Sequence, residues 1–263
     1  MFLYGFHPFH IVSVSPWPLV GSLSLLGFVL NFFHFMNRSG QSLFLLVGLA
    51  SLLLFSFQWW RDVIRESTFQ GKHTSQVMDG IYLGMSMFIL SEVMFFFSFF
   101  FGFFFTSLIP DVEIGTIWPP KGVQPLSVFE VPLLNTLILL SSGVSITWCH
   151  HSLIKSSFFS SVLSGWITIF LGMIFTMFQY VEYEESSFTM ADSVFGSLFF
   201  IMTGFHGIHV IVGALMIFVS VFRLMVGHFS SNHHLGFEAS AWYWHFVDVV
   251  WLFLFVSVYW WGS

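Results

Sequence analysis

Residues 81–109 constrain this chain more than any other stretch. They read IYLGMSMFILSEVMFFFSFFFGFFFTSLI and carry a single charge, Glu92. At ~1.5 Å per residue a helix of that length runs beyond ~40 Å, longer than the ~30 Å apolar core of a bilayer. The segment is expected to be a long transmembrane helix, with a carboxyl near its middle. A carboxylate at the bilayer centre costs at least ~2.5 kcal/mol, so Glu92 should face protein neighbours or stay protonated. Gly80 and Gly84 lie one turn apart, a spacing that lets a second helix approach. The helix is therefore expected in the bundle interior. A structural, protonated Glu92 and a functional one both fit this pattern.

Composition extends the same conclusion to the whole chain. Of 263 residues only 8% are charged and 56% are apolar, which leaves too few polar groups to cover a water-soluble surface. The expectation is an all-α, polytopic membrane protein. One cysteine, Cys149, excludes an internal disulfide framework and a cysteine-only metal site. The N-terminus lacks a basic region followed by a small-residue cleavage site, so no cleavable signal is expected.

Seven apolar segments follow one another, at about residues 16–36, 41–66, 81–109, 129–152, 157–181, 192–224 and 237–261. The N-terminal segment carries His7 and His10, and Asn37 to Gly40 form a short turn. The longest polar connection, 110–128, holds Pro110, Pro119, Pro120 and Pro125 and cannot be helical throughout. Glu182, Glu184 and Glu185 form an acidic exit from the fifth segment. No tandem repeat and no long hydrophilic stretch is present, so a single domain over 1–263 is expected, with helices 1–2 in 1–75 and helices 3–7 in 76–263. On the N-terminal side of the membrane the loops and helix ends hold Arg61, Arg65, Lys72, Lys155 and Arg223. The opposite side holds Arg38 and Lys121. This bias places the N-terminus in the cytoplasm or matrix.

Three sets of residues offer chemistry. In the run Trp59 to Glu66, Arg61 and Arg65 share a helix face beside two interfacial tryptophans. Guanidinium groups bind phosphate bidentately, which favours a phospholipid site, with His73 and Arg223 from neighbouring segments; simple pairing with Asp62 and Glu66 is the alternative. His206 and His209 share a face of the sixth helix, where either can hydrogen-bond Glu92 and offset its burial. They could also begin a metal or haem site, but this needs ligands from other helices, and the remaining histidines mostly sit at helix ends. Asp248 is a second deep carboxyl, with His245 three residues before it. A proton relay needs more than two separated groups. No phosphate loop is present, so nothing points to nucleotide use.

Several stretches resemble one family. They are Trp59 to Gly71, Ser91-Glu92-Val93, Trp118-Pro119-Pro120, Glu130 to Thr136, Ser142 to Trp148, Gly204 to Val210, Ser231 to His234 and Trp242 to Trp251. Together they are similar to subunit III of haem–copper cytochrome c oxidase, in its compact mitochondrial form. The resemblance implies seven transmembrane helices, with helices 1–2 split from helices 3–7 by a V-shaped lipid cleft. It implies a non-catalytic core subunit of a complex that reduces oxygen to water with electrons from cytochrome c and pumps protons. Haem and copper would sit in partner subunits, with no metal and no catalytic residue here. Subunits I and II, accessory subunits and phospholipids are the implied partners, without nucleic acid, in the mitochondrial inner membrane with the N-terminus on the matrix side. Trp60, Arg65, Glu66, His73 and Arg223 match positions associated with bound lipid, and Glu92 matches a carboxyl that reacts with carbodiimides. His73 follows Lys72 where some relatives carry two histidines. A seven-helix transporter using Glu92 and Asp248, and a haem-bearing redox subunit, are the competing classes.

Overall fold

The computed structural model describes residues 8–38 and 40–263; His7 and Ser39, the latter within the Asn37 to Gly40 turn, lie outside the described residues. Seven helices are long and apolar enough to cross a membrane, and no strand occurs among the described residues. They are α1 (Trp17–Met36), α2 (Ser42–Thr68), α3 (Ser75–Leu108), α4 (Val131–Ile154), α5 (Phe158–Glu185), α6 (Ser193–Met225) and α7 (Leu235–Leu254). A 3-10 turn at Val112–Ile114 interrupts the proline-rich connection, and α7 continues as a π-helical segment, Phe255–Trp261.

The chain divides into two compact units, residues 1–81 and 82–263. In the first, α1 and α2 form a hairpin in which Gly21 and Gly48 are the buried helical residues. A Cβ at Gly21 would stand 2.6 Å from the Phe55 ring, so the missing side chain permits the close approach. Between lipid-facing helices this contact matters, because lipid tails are as apolar as leucine and give helices no hydrophobic reason to associate.

In the second unit the core lies among α4, α5, α6 and α7. Its interior mixes aromatic rings with small hydroxyl residues. Ser145 and Thr168 join α4 to α5 at 2.7 Å, and Ser220 and Ser240 join α6 to α7 at 3.0 Å. The indoles of Trp244 and Trp251 donate to Ser142 (2.9 Å) and Thr136 (3.0 Å) on α4. Trp244 fills the space left by two glycines: a Cβ at Gly172 of α5 would lie 2.7 Å from its ring, and one at Gly213 of α6 would lie 2.9 Å away.

The expectation that the third helix is interior is corrected here. Of α3 only Phe96, Phe103 and Ser107 are buried. Its contacts within the second unit include aromatic pairs, Phe95 edge-on to Phe205 at 5.0 Å and Phe88 stacked on Tyr243 at 6.1 Å. Among the described residues nothing lies within 4 Å of a Cβ built at Gly80 or at Gly84, so neither glycine is needed for a close approach. A second correction concerns Glu182. α5 runs on to Glu185, which turns Glu182 inward to 2% exposure instead of leaving it in an acidic exit.

Candidate functional site

Four groups of polar residues stand out against the apolar surface. The first links α3 to α6. His209 Nε2 lies 2.8 Å from Glu92 Oε2, and His209 Nδ1 lies 2.7 Å from the Phe205 carbonyl. A carbonyl oxygen can only accept, so Nδ1 carries a proton. The remaining contact then takes one of two forms. Either a protonated Glu92 donates to Nε2, or an imidazolium donates to a carboxylate. Phe95, Phe96, Tyr243 and Phe246 surround the imidazole with centroids 5.0–6.4 Å away. Such rings screen the shared proton from water.

His206 does not join this pair. It is fully buried, its Nε2 faces the Val247 carbonyl at 3.2 Å, and it is flanked by Phe175 and Trp251. One turn of helix thus separates two histidines with different partners. His206 ties α6 to α7, and His209 ties α6 to α3.

Asp248 forms a second site on α7. Its Oδ2 lies 3.7 Å from His245 Nδ1, and a Cβ at Gly143 of α4 would come within 2.8 Å of that oxygen. Among the described residues no hydrogen bond joins Asp248 to Glu92, so the two carboxyls do not form one path.

The third group lies in the first unit, on the last turns of α2. Trp17 Nε1 donates to Asp62 Oδ2 at 2.7 Å, and Arg61 holds Asp62 Oδ1 through Nε (3.2 Å) and Nη2 (3.1 Å). Glu66 turns to His10 at 3.1 Å, and the His10 ring sits 6.0 Å from His73. Among the described residues Arg65 makes a 3.9 Å contact with Asp62 and is 58% exposed, while Trp60 is 68% exposed. A concavity of about 270 Å³ is lined by Trp17, Trp59, Asp62, Arg65 and Glu66 among others. Of the two guanidiniums, Arg61 is engaged by Asp62 and Arg65 is turned outward.

Arg223, at the end of α6 in the second unit, lies over the Phe229 ring, with Cζ 4.4 Å from its centroid. Gly236 makes room for it, since a Cβ there would meet Nη1 at 2.6 Å.

A fourth group went unremarked in the sequence as a set. His150 near the end of α4, His234 at the start of α7 and Glu238 one turn further on bring their donor atoms within 4.8 Å of one another. The two histidines read as separate helix-end residues, 84 positions apart. Only the antiparallel arrangement of α4 and α7 unites them.

The sequence profile of cytochrome c oxidase subunit III matches residues 7–263. The chain belongs to the cytochrome c oxidase subunit III family. It is 55% identical over 260 residues to cytochrome c oxidase subunit 3 of Raphicerus campestris, covering 98% of both chains. The corresponding subunit of Tachyglossus aculeatus aculeatus is 54% identical over the same length and coverage. Membership of the subunit III family makes the chain a membrane component of a multi-subunit respiratory oxidase, an oxidoreductase of the electron-transport chain. The seven apolar helices agree with a multi-pass membrane subunit.

Proposed function

We propose that this chain is a supporting subunit with no catalytic centre of its own. It binds structural phospholipid, stabilises subunit I and sustains proton uptake by a proton-translocating oxidase of the mitochondrial inner membrane, with its N-terminus on the matrix side. Haem and copper belong to the partner subunits, and subunits I and II with accessory subunits are its neighbours. Trp60, Arg65, Glu66 and His73 in the first unit, and Arg223 in the second, are the phospholipid-binding residues. Of the two deep carboxyls, Asp248 is buried beside His245, whereas Glu92, read from the sequence as buried, is 22% exposed and meets His209.

The observation that carries this reading is the outward guanidinium of Arg65 beside the exposed Trp60. Its neighbour Arg61 is occupied by Asp62, so Arg65 is the group left to meet a phosphate. Arg presents a planar fork that fits two phosphate oxygens, and Trp sits well at head-group depth.

The test compares the purified oxidase complex with its Arg65→Ala form by lipid mass spectrometry and by the lifetime of activity during turnover. The variant should retain less phospholipid and inactivate sooner. Equal lipid content in the two complexes contradicts the site.

A further inference from the structure

We infer that His150, His234 and Glu238 form a binding site for a zinc-class divalent cation that ties the end of α4 to the start of α7. His150 Nε2 and His234 Nε2 are 3.2 Å apart, His150 Nε2 and Glu238 Oε1 are 3.4 Å apart, and His234 Nε2 and Glu238 Oε1 are 3.3 Å apart. The three donors make a nearly equilateral triangle. Zinc bonds imidazole nitrogen and carboxylate oxygen at ~2.0–2.1 Å in tetrahedral geometry, for which the edge between two ligands is ~3.3–3.4 Å. The observed sides are therefore those of one face of a zinc tetrahedron. They are long for hydrogen bonds, which cluster near ~2.9 Å.

Proton bookkeeping points the same way. His234 Nδ1 faces the Ser230 carbonyl at 3.0 Å and must carry its proton there. In the neutral ring Nε2 is then a bare lone pair, 3.3 Å from a carboxylate oxygen that can also only accept. Two acceptors so placed repel each other unless a proton or a metal cation stands between them, and three converging donor atoms at these spacings fit the metal. The carbonyl bond fixes the tautomer and orientation of His234, as is usual for a metal-ligating histidine. The Tyr82 hydroxyl hydrogen-bonds the other carboxylate oxygen, Oε2, and so aims Oε1 into the triangle.

The site is half-open, since His234 is 7% exposed, Glu238 21% and His150 31%. Three protein ligands leave the fourth tetrahedral position to water. Two imidazoles and one carboxylate suit zinc better than calcium or magnesium, which prefer all-oxygen shells. With the helix-end histidines neutral, one carboxylate leaves the bound ion a net charge of +1. The site therefore belongs at the membrane face that carries the α4–α5 and α6–α7 connections, where water compensates that charge. It needs only this chain's own fold and would stand even if the proposed lipid role failed.

Crystals of the whole oxidase complex, incubated with zinc chloride, would be measured on both sides of the zinc absorption edge. The expected result is an anomalous peak ~2.1 Å from His150 Nε2, His234 Nε2 and Glu238 Oε1. Its absence, with zinc bound elsewhere or nowhere, overturns the inference. Equilibrium dialysis against radioactive zinc provides the second readout. The native complex should bind one more zinc ion than its His150→Ala or Glu238→Gln form, and equal stoichiometry would also overturn it. If neither variant assembles, the map of the native complex decides alone.

Discussion

Glu92 on α3 and His209 on α6 share one proton across a 2.8 Å contact, because the other ring nitrogen of His209 is committed to the Phe205 carbonyl. The pair spans two helices that also meet there through aromatic rings, edge-on and stacked. It supplies the carboxyl with a partner that bulk water would supply at the surface, which is what an ionisable group in the apolar part of a membrane requires.

Replacing Glu92 by Gln should leave the complex assembled. The amide NH₂ can donate to His209 Nε2 and preserve the α3–α6 contact, whereas Ala leaves the imidazole nitrogen without a partner. Native electrophoresis of the two variants checks this. Intact complex in Glu92→Gln and a reduced yield in Glu92→Ala are expected, and loss of assembly in the Gln variant contradicts the shared-proton reading.

Gly172 is the residue whose enlargement should harm the bundle most directly. A Cβ there meets Trp244 at 2.7 Å, and Trp244 is hemmed in on its other side by Gly213 and fixed by its bond to Ser142. Overpacking of this kind costs typically ~1–3 kcal/mol. Gly172→Val should lower the midpoint of denaturation in detergent. Gly27→Ala, where nothing lies within 4 Å of the new Cβ, should leave it unchanged or raise it slightly. Equal midpoints for the two variants would sink the packing account.

The entry to α6 carries a pH dependence. Asp192 accepts from the Thr189 backbone N–H at 2.8 Å and from the Thr189 hydroxyl at 2.9 Å. These bonds, the backbone one first, hold its carboxyl below the ordinary value of 3.8. A carboxyl with a lowered folded value stabilises the fold above the ordinary value, and that contribution is lost as pH falls through the folded one. Protection of the Thr189 amide from hydrogen exchange should therefore be present at neutral pH, fall away in acid as Asp192 is protonated, and be missing at neutral pH in Asp192→Ala. A variant matching the native protein at neutral pH would contradict a role for the Asp192–Thr189 bonds.

Much of the fold is legible in the sequence because the bilayer imposes a length on every span. The apolar segments at 16–36 and 129–152 differ from α1 and α4 by at most two residues at each end. The third segment is different. Hydropathy marks only the part of α3 that suits lipid, whereas the helix starts six residues earlier, at Ser75, because its backbone bonds continue through Gln76 and Asp79. Position within the bundle is the harder inference. Glu92, Gly80 and Gly84 suggested an interior helix, yet one buried or half-buried polar residue requires a single partner and not a full shell of helices. Glu182 was misjudged for a related reason, since an acidic cluster near a helix end looks solvent-facing until the phase of the helix is known. The His150, His234 and Glu238 triangle was invisible, because metal-like spacing in sequence exists only when the ligands share a helix or loop.

We propose that this chain supports an oxidase without carrying its redox chemistry. The most direct measurement strips the chain from the native complex with detergent, then records the reduced-minus-oxidised visible spectrum and oxygen uptake of the remainder. The remainder should keep all its haem absorption and still reduce oxygen, with faster inactivation during turnover. Haem absorption leaving with the chain would contradict it.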